Sequence, residues 1–422
     1  MNYQQAVSYL NNTAWRSREP GLSRMKELLF RLGDPQNSLK FVHIAGTNGK
    51  GSCAAMVASV LKASGYKTGL FTSPYIYCFN ERMQINGKQI DDDVLAGIVS
   101  EIQPAADAMD EHPIAFELMT AAALLWFARE NCSIVVLEAG IGGTYDPTNI
   151  IEASEVSVIM NIGYDHMDLL GGTIEEIAEN KAGIIKPGCS AVLYQQSDEV
   201  EELVRKRCEE RGAALRISDF SAIEPEFDSL DGQVFSYKGE SYAIPLLGEH
   251  QRKNTAVVIE AVEVLREKGW SVSQDQLEHG LYSVFWPARF EVAGEDPYFV
   301  IDGGHNPQCA GTVVRNLADY FPGMKHVLLV GVLRDKDVDS IFKILNLAAS
   351  EYVCVTPDNP RALPADELAE KLRGYGKPVT VCETVEDGVF EAMDRAREQE
   401  GMVCAVGSLY ITGSIRACLG LY

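Results

Sequence analysis

The stretch Phe41-Val42-His43-Ile44-Ala45-Gly46-Thr47-Asn48-Gly49-Lys50-Gly51-Ser52 decides the fold. Its first five residues are mostly apolar and read as a strand buried on both faces. Three glycines, a lysine and a hydroxyl follow, and Ala54–Ala63 continues as a helix. A strand, a glycine loop and a helix in that order make a phosphate cradle. The glycines let the chain turn tightly, so that successive N–H groups face one anion, and the helix N-terminus adds its positive dipole end. Lys50 would reach the terminal phosphates, and the Ser52 hydroxyl can ligate Mg²⁺. The usual phosphate-loop pattern is not met: position 44 is Ile, and Gly51 separates Lys50 from Ser52. An ordinary glycine-rich turn is the bland alternative, but the strand before and the helix after favour nucleoside-triphosphate contacts from Thr47 to Ser52.

Outward from this loop the same rhythm repeats. Apolar runs at Ile134–Leu137, Val156–Ile162, Ala191–Tyr194, Phe299–Ile301, Val327–Val332, Tyr352–Val355 and Met402–Val406 alternate with helical patterns. Those patterns fall at Glu117–Arg129, Thr173–Ala182, Asn254–Lys268 and Ala365–Leu372. Alternation of this kind predicts parallel sheets covered on both faces. At 422 residues the chain exceeds the ~250–300 at which single cores stop growing, so two α/β domains are expected. The polar stretch Ala293–Pro297 is the candidate linker, giving domains over 1–293 and 298–422 with 294–297 between them. Residues 233–245 read instead as a hairpin in a small added β layer.

Composition narrows the partners. Sixty acidic against 37 basic residues leave a net charge of −23, which disfavours nucleic acid and anionic membranes. The longest apolar stretch, Ala121–Ala128, falls far short of the ~20 residues that span a bilayer. The start MNYQQAVSYL lacks a signal-peptide pattern, and ten cysteines without CxxC pairs suit reduced thiols in the cytoplasm.

Several polar residues sit where open α/β sheets gather ligands, at the carboxyl ends of strands. Glu138 ends one strand and His166 follows the next; with the Ser52 hydroxyl they could hold one divalent cation beside ATP phosphates. Lys181 lies at a helix end, where local sequence reads it as a surface cation complementing the dipole. Phe116 and Glu117 read locally as a core aromatic and a helix-start acid. In the second half, Asp302 and His305 flank two glycines after a strand, and Arg289 offers a fixed charge suited to a transferring phosphoryl group. Asn254 could read an adenine edge or cap its helix. Two chemistries fit: a plain NTPase, which positions water at the γ-phosphate, or a ligase that makes an acyl phosphate and admits an amine.

The chain resembles the folylpolyglutamate synthase/dihydrofolate synthase family of the Mur ligase superfamily. The motifs are GTNGKGS at 46–52, TSPYI at 72–76, FNERMQING at 79–87, EAGIGGTYDPTN at 138–149 and IGYDHMDLLG at 162–171. They continue with ENKAGIIKPG at 179–188, GEHQRKNTAVVIEA at 248–261, WPARFEV at 286–292, DGGHNP at 302–307, GVLRDKD at 331–337 and NPRALPADEL at 359–368. The resemblance implies an N-terminal P-loop ATPase domain with a doubly wound, mainly parallel sheet and a smaller Rossmann-like α/β domain, with ATP and substrates held between them. It implies Ser52, Ser73, Glu138 and His166 as Mg²⁺ ligands and Lys181 as a carbamylated lysine. Asn254, Arg289, Asp302 and His305 would meet the nucleotide, and Phe116, Glu117 and Asp146 the pteroate. Lys50, Lys181, Arg289 and His305 are the implied catalytic set.

The implied reaction joins L-glutamate to a folate-type carboxylate through an acyl phosphate, in a monomeric enzyme. A ligase acting on another carboxylate and a regulatory P-loop ATPase remain as alternatives. Three departures from the family pattern bear on the acceptor: Tyr75 stands for His, Thr144 and Pro147 for Arg and Ala, and Ile114-Ala115 for a Thr-Tyr type pair. All lie near the expected acceptor pocket.

Overall fold

A computed structural model of the chain describes residues 1–14 and 21–421. The strands of the first sheet are β1 (Phe41–Ala45), β2 (Thr68–Phe71), β3 (Met83–Ile85), β4 (Lys88–Gln89), β5 (Ile134–Glu138), β6 (Val156–Ile159), β7 (Ser190–Leu193) and β8 (Ala214–Ile217). They lie in the order β4-β3-β2-β5-β1-β6-β7-β8. The run from β2 to β8 is parallel, while β3 and β4 add an antiparallel hairpin at one edge. β1 and β5 are buried at every position, as parallel strands with covered faces require. The helix Ala115–Arg129 is apolar nearly all round and packs into the core beside β5. The chain leaves β1 for one side of the sheet, returns through β5, and then crosses to β6. Ligand sites form at such a reversal.

Strands β9 (Ile223–Ser229), β10 (Gly232–Tyr237) and β11 (Glu240–Ile244) make the small antiparallel sheet foreseen around residue 240. The remaining strands are β12 (Glu291–Glu295), β13 (Tyr298–Ile301), β14 (His326–Val330), β15 (Ala349–Cys354), β16 (Val379–Val381) and β17 (Met402–Val406), ordered β12-β13-β17-β14-β15-β16. All pairs of this sheet are parallel except β12 with β13. Its core gathers Val300, Leu328, Val330, Phe342, Tyr352 and Cys404.

The chain divides into two compact units. One comprises residues 1–225, 235–243 and 251–284, and the other residues 226–234, 244–250 and 285–422. The expected linker at 294–297 is therefore corrected. Ala293, Gly294 and Glu295 belong to β12, and Asp296-Pro297 turns it back onto β13 within the second unit. A polar Gly/Pro stretch marks a hairpin turn as readily as a linker. All ten cysteines are free thiols, six of them buried. No helix among the described residues is long and apolar enough to cross a membrane.

Candidate active site

The glycine loop leaves β1 at the centre of the first sheet. Gly46 and Gly49 take φ of 156° and 83°, a region that L side chains rarely adopt. A Cβ on Gly46 would fall 2.6 Å from Cβ of Met160, and one on Gly49 would fall 2.7 Å from Oδ1 of Asn254. The amides of Thr47 and Asn48 donate to the Asn161 carbonyl at 2.7 and 3.3 Å. The Thr47 hydroxyl donates to the Gly163 carbonyl and accepts from its amide, both at 3.0 Å. The loop is thereby fixed to the segment after β6. No side chain caps the helix Lys50–Ala63, which leaves its first-turn amides to an anion.

Two lysines converge on one atom of this loop. Nζ of Lys50 donates to the carbonyls of Gly46 and Thr47 at 3.0 and 3.2 Å. Nζ of Lys181 donates to Gly46 O at 2.8 Å. Lys181 is only 3% exposed, which overturns its local reading as a surface cation. The helix Ile174–Ala182 ends inside the protein, against the loop 140–149: Gly143 N and Thr144 N donate to Oδ1 and O of Asn180. Burial, then the neighbouring Lys50 charge, pulls the Lys181 ammonium down to about 7.

The oxygen donors expected for a cation come from separate loops. Glu138 is buried at the end of β5 and accepts from Ser73 N at 3.1 Å. Ser52 is 2% exposed, and Nε2 of Gln251 reaches its hydroxyl at 3.4 Å. Gln251 in turn accepts from Nδ2 of Asn254 at 3.0 Å. Asn254 thus sits in the second turn of the helix Glu249–Glu267, facing the glycine loop, and is not its cap. His166 opens the short helix Met167–Leu170 with φ of 50°, its ring 3.9 Å from Asp165. Carboxylate and hydroxyl oxygens are the donor chemistry that Mg²⁺ prefers. Among the described residues no cluster of three or more His, Cys, Asp or Glu could hold a metal alone, so the shell would draw on hydroxyls, water and phosphate oxygens.

Of the acceptor residues, Phe116 packs on Phe71 with ring centroids 5.8 Å apart, and its ring closes over Gly140. Glu117 is the helix-start acid that the sequence suggested, and it is paired as well. Its oxygens take Nη2 and Nε of the buried Arg24, both at 3.2 Å, and the Ile114 amide at 2.8 Å. Asp146 is also buried and accepts from the amides of Ile141 and Thr148 and from the Thr148 hydroxyl. Burial raises its carboxyl above the usual range, against those hydrogen bonds. Of the departing residues, Tyr75 carries the Arg82 guanidinium 5.1 Å over its ring. Thr144 donates its hydroxyl to Asn180 O at 3.0 Å.

In the second unit, Asp302 follows β13 and accepts from Phe290 N at 2.9 Å and Gly304 N at 2.7 Å. Burial raises its carboxyl, opposed by the charge of Arg289. Arg289 donates to Ala288 O at 2.9 Å, and Nδ1 of His305 lies 3.0 Å from Gly303 O. Sequence reasoning missed Arg24, His43, Thr148, Asn180 and Gln251. Each acts through another side chain or loop, and only the FVHIA, DPTN, ENKAG and GEHQRKN motifs hinted at four of them.

Comparison with known proteins gives the family. The Mur ligase middle domain matches residues 44–262, and the Mur ligase glutamate ligase domain matches residues 288–409. The chain is 35% identical over 98% of both chains to the dihydrofolate synthase/folylpolyglutamate synthase of Bacillus subtilis. The chain belongs to the folylpolyglutamate synthase/dihydrofolate synthase family. Among family structures, Mycobacterium tuberculosis folylpolyglutamate synthase complexed with ADP and AMPPCP is 31% identical, with a TM-score of 0.90, covering 99% of this chain and 98% of that one. Escherichia coli FolC in complex with DHPP and ADP is 27% identical, with a TM-score of 0.86 and coverage of 100% and 98%. The α/β architecture described above is shared with these family members.

Proposed function

We propose that this chain is an ATP-dependent ligase that joins L-glutamate to the carboxylate of a folate-type acceptor. The observation that carries the reading is likeness to a named dihydrofolate synthase/folylpolyglutamate synthase over 98% of both chains. The phosphate loop described above supports it. A carboxylate oxygen of the acceptor attacks the γ-phosphorus of ATP and ADP leaves. The glutamate amine then attacks the acyl carbon, loses a proton, and inorganic phosphate departs with both electrons of the broken C–O bond. The loop amides and Lys50 hold the transferring charge. We assign Ser52, Ser73, Glu138 and His166 to the Mg²⁺ site, where the ion would neutralise phosphate charge. In the second unit, Asn306 caps the helix Pro307–Tyr320 beside His305. To Arg289, Asp302 and His305 there, and to Asn254 in the first unit, we assign contacts with the nucleotide.

Lys181 is assigned as the carbamylated residue. An ammonium lowered to about 7 leaves a large neutral fraction at physiological pH. The ammonium loses one proton, and the neutral amine then forms an N–C bond to CO₂ and releases a second, so a buried cation becomes an anion beside Lys50. Phe116, Glu117 and Asp146 belong to the acceptor region, Glu117 through its pair with Arg24. A second acceptor class is favoured by one observation, the changed side chains Tyr75, Thr144 and Pro147. A monomeric, cytoplasmic enzyme is the accompanying expectation. The test is a rate comparison of dihydropteroate, tetrahydrofolate and non-folate carboxylates. Saturable turnover on either folate supports the proposal, and turnover confined to a non-folate acid overturns its substrate class.

A further inference from the structure

His43 lies in the middle of β1, fully buried in a parallel sheet whose neighbouring positions are Leu137 and Ser157. An apolar residue would fill that place without cost. Instead the imidazole keeps Nδ1 without a hydrogen-bond partner in the interior, which is rare for a buried polar atom. Its Nε2 lies 2.9 Å from Oγ1 of Thr148. The direction of that bond follows from proton counting. Thr148 has one hydroxyl hydrogen, and it goes to Oδ1 of Asp146, which also accepts Thr148 N at 3.0 Å. With Asp146 ionised, the Thr148 oxygen accepts from His43, so the ring is the neutral Nε2–H tautomer with a bare Nδ1. Burial, followed by the charge of Lys186, lowers the imidazole to about 3, in keeping with that neutral form.

We propose that His43 is a positioning residue for acceptor binding: it donates to Thr148, which commits the Thr148 hydroxyl to Asp146 and fixes the loop 140–149. The far oxygen of Asp146 accepts from Ile141 N at 3.0 Å, so one carboxylate ties both arms of the loop. The inference rests on the reading of this loop as part of the acceptor site.

Three variants and one spectrum test it. Thr148→Val keeps the shape and removes both hydroxyl roles; it is expected to raise the acceptor KM about tenfold, the effect of one lost buried hydrogen bond. The KM for ATP should stay within about twofold. His43→Leu should reproduce the acceptor effect, and His43→Gln, whose amide can donate from a similar position, should restore most of it. Thermal unfolding of each variant separates positioning from loss of fold. In ¹⁵N–¹H spectra of the wild-type protein, His43 should be protonated at Nε2 only, from pH 8 down to about 5. An Nδ1–H or doubly protonated ring would overturn the proposal whatever the variants do. Asp146→Asn distinguishes the two ways of failing. If it leaves the acceptor KM unchanged, the acceptor reading of the loop is wrong and this inference falls with it. If it raises that KM while Thr148→Val and His43→Leu do not, the acceptor reading stands and the role of His43 is refuted.

Discussion

Lys50 and Lys181 share one acceptor, the carbonyl oxygen of Gly46, at 3.0 and 2.8 Å. Two ammonium groups on one carbonyl repel each other, and the buried one yields its proton more readily. An anionic group built on Lys181 would relieve that repulsion and leave Lys50 to the phosphates. The helix Ile174–Ala182 delivers Lys181 to this point because its C-terminal residues bond to the loop 140–149.

Lys181→Ala is expected to lower kcat about 10²-fold or more, the usual scale for removing one preorganised charge from a transition state. Short carboxylates in the buffer should recover part of the loss. Intact-protein mass measured under bicarbonate should show one CO₂ on the wild type and none on the variant. Wild-type turnover in Lys181→Ala would eliminate the role.

The same lysine makes stability depend on pH. Its ammonium is lowered from 10.5 to about 7 on folding, so between those values the unfolded chain binds more protons. In CO₂-free buffer stability contributed by this group therefore rises with pH from about 7 to 10.5 and is absent below it. The urea midpoint of the wild type should gain on that of Lys181→Met across this window. Parallel midpoints would show that Lys181 titrates normally.

Arg24 and Glu117 are both buried, and their pairing is the main offset to the loss of water, beside the Ile114 amide on Glu117 and Glu111 at 3.5 Å from Arg24. Arg24→Ala should destabilise the chain by about 3–5 kcal/mol, because it strands the Glu117 charge. Arg24→Met combined with Glu117→Leu should recover most of this. Chemical denaturation of the single and double variants decides it.

Gly46→Ala places a methyl 2.6 Å from Cβ of Met160 at a φ of 156°. The pairing of β1 with β6 runs to Ala45 and Ile159, and Met160 N donates to Ala45 O, so neither segment can give way. Loss of nucleotide binding by titration calorimetry is expected, with a melting temperature that falls by several degrees, about 1–2 kcal/mol of strain. Unchanged ADP affinity would mean that the loop tolerates a side chain.

Gln251→Ala removes the amide that reaches the Ser52 hydroxyl. The Mg²⁺ concentration for half-maximal rate should rise about threefold to tenfold, with a smaller effect on Mg²⁺-free ADP binding. An equal effect on both would assign Gln251 to the nucleotide rather than the cation side.

Much of this was legible in the sequence, and for physical reasons. Strands such as β1, β5 and β17 are covered on both faces and read as unbroken apolar runs, so their ends fell within a residue of expectation. The short strands β3, β4 and β16, at or next to a sheet edge, carry no such run. The glycine loop and Glu138 were visible because backbone geometry and strand ends restrict residue type locally. Lys181 was misjudged locally because burial at a helix end depends on what packs against it, here the loop 140–149. Arg24 and Glu117 are 93 residues apart, and His43 and Thr148 are 105 apart. No local pattern encodes a pairing across such distances.

The most direct measurement of the ligase account uses an acceptor labelled with ¹⁸O in its carboxylate, incubated with ATP, Mg²⁺ and L-glutamate. The account predicts one ¹⁸O atom in each inorganic phosphate released and one glutamyl unit added to the acceptor for each ADP formed. Unlabelled phosphate, released without acceptor or glutamate and with no new product, would contradict it.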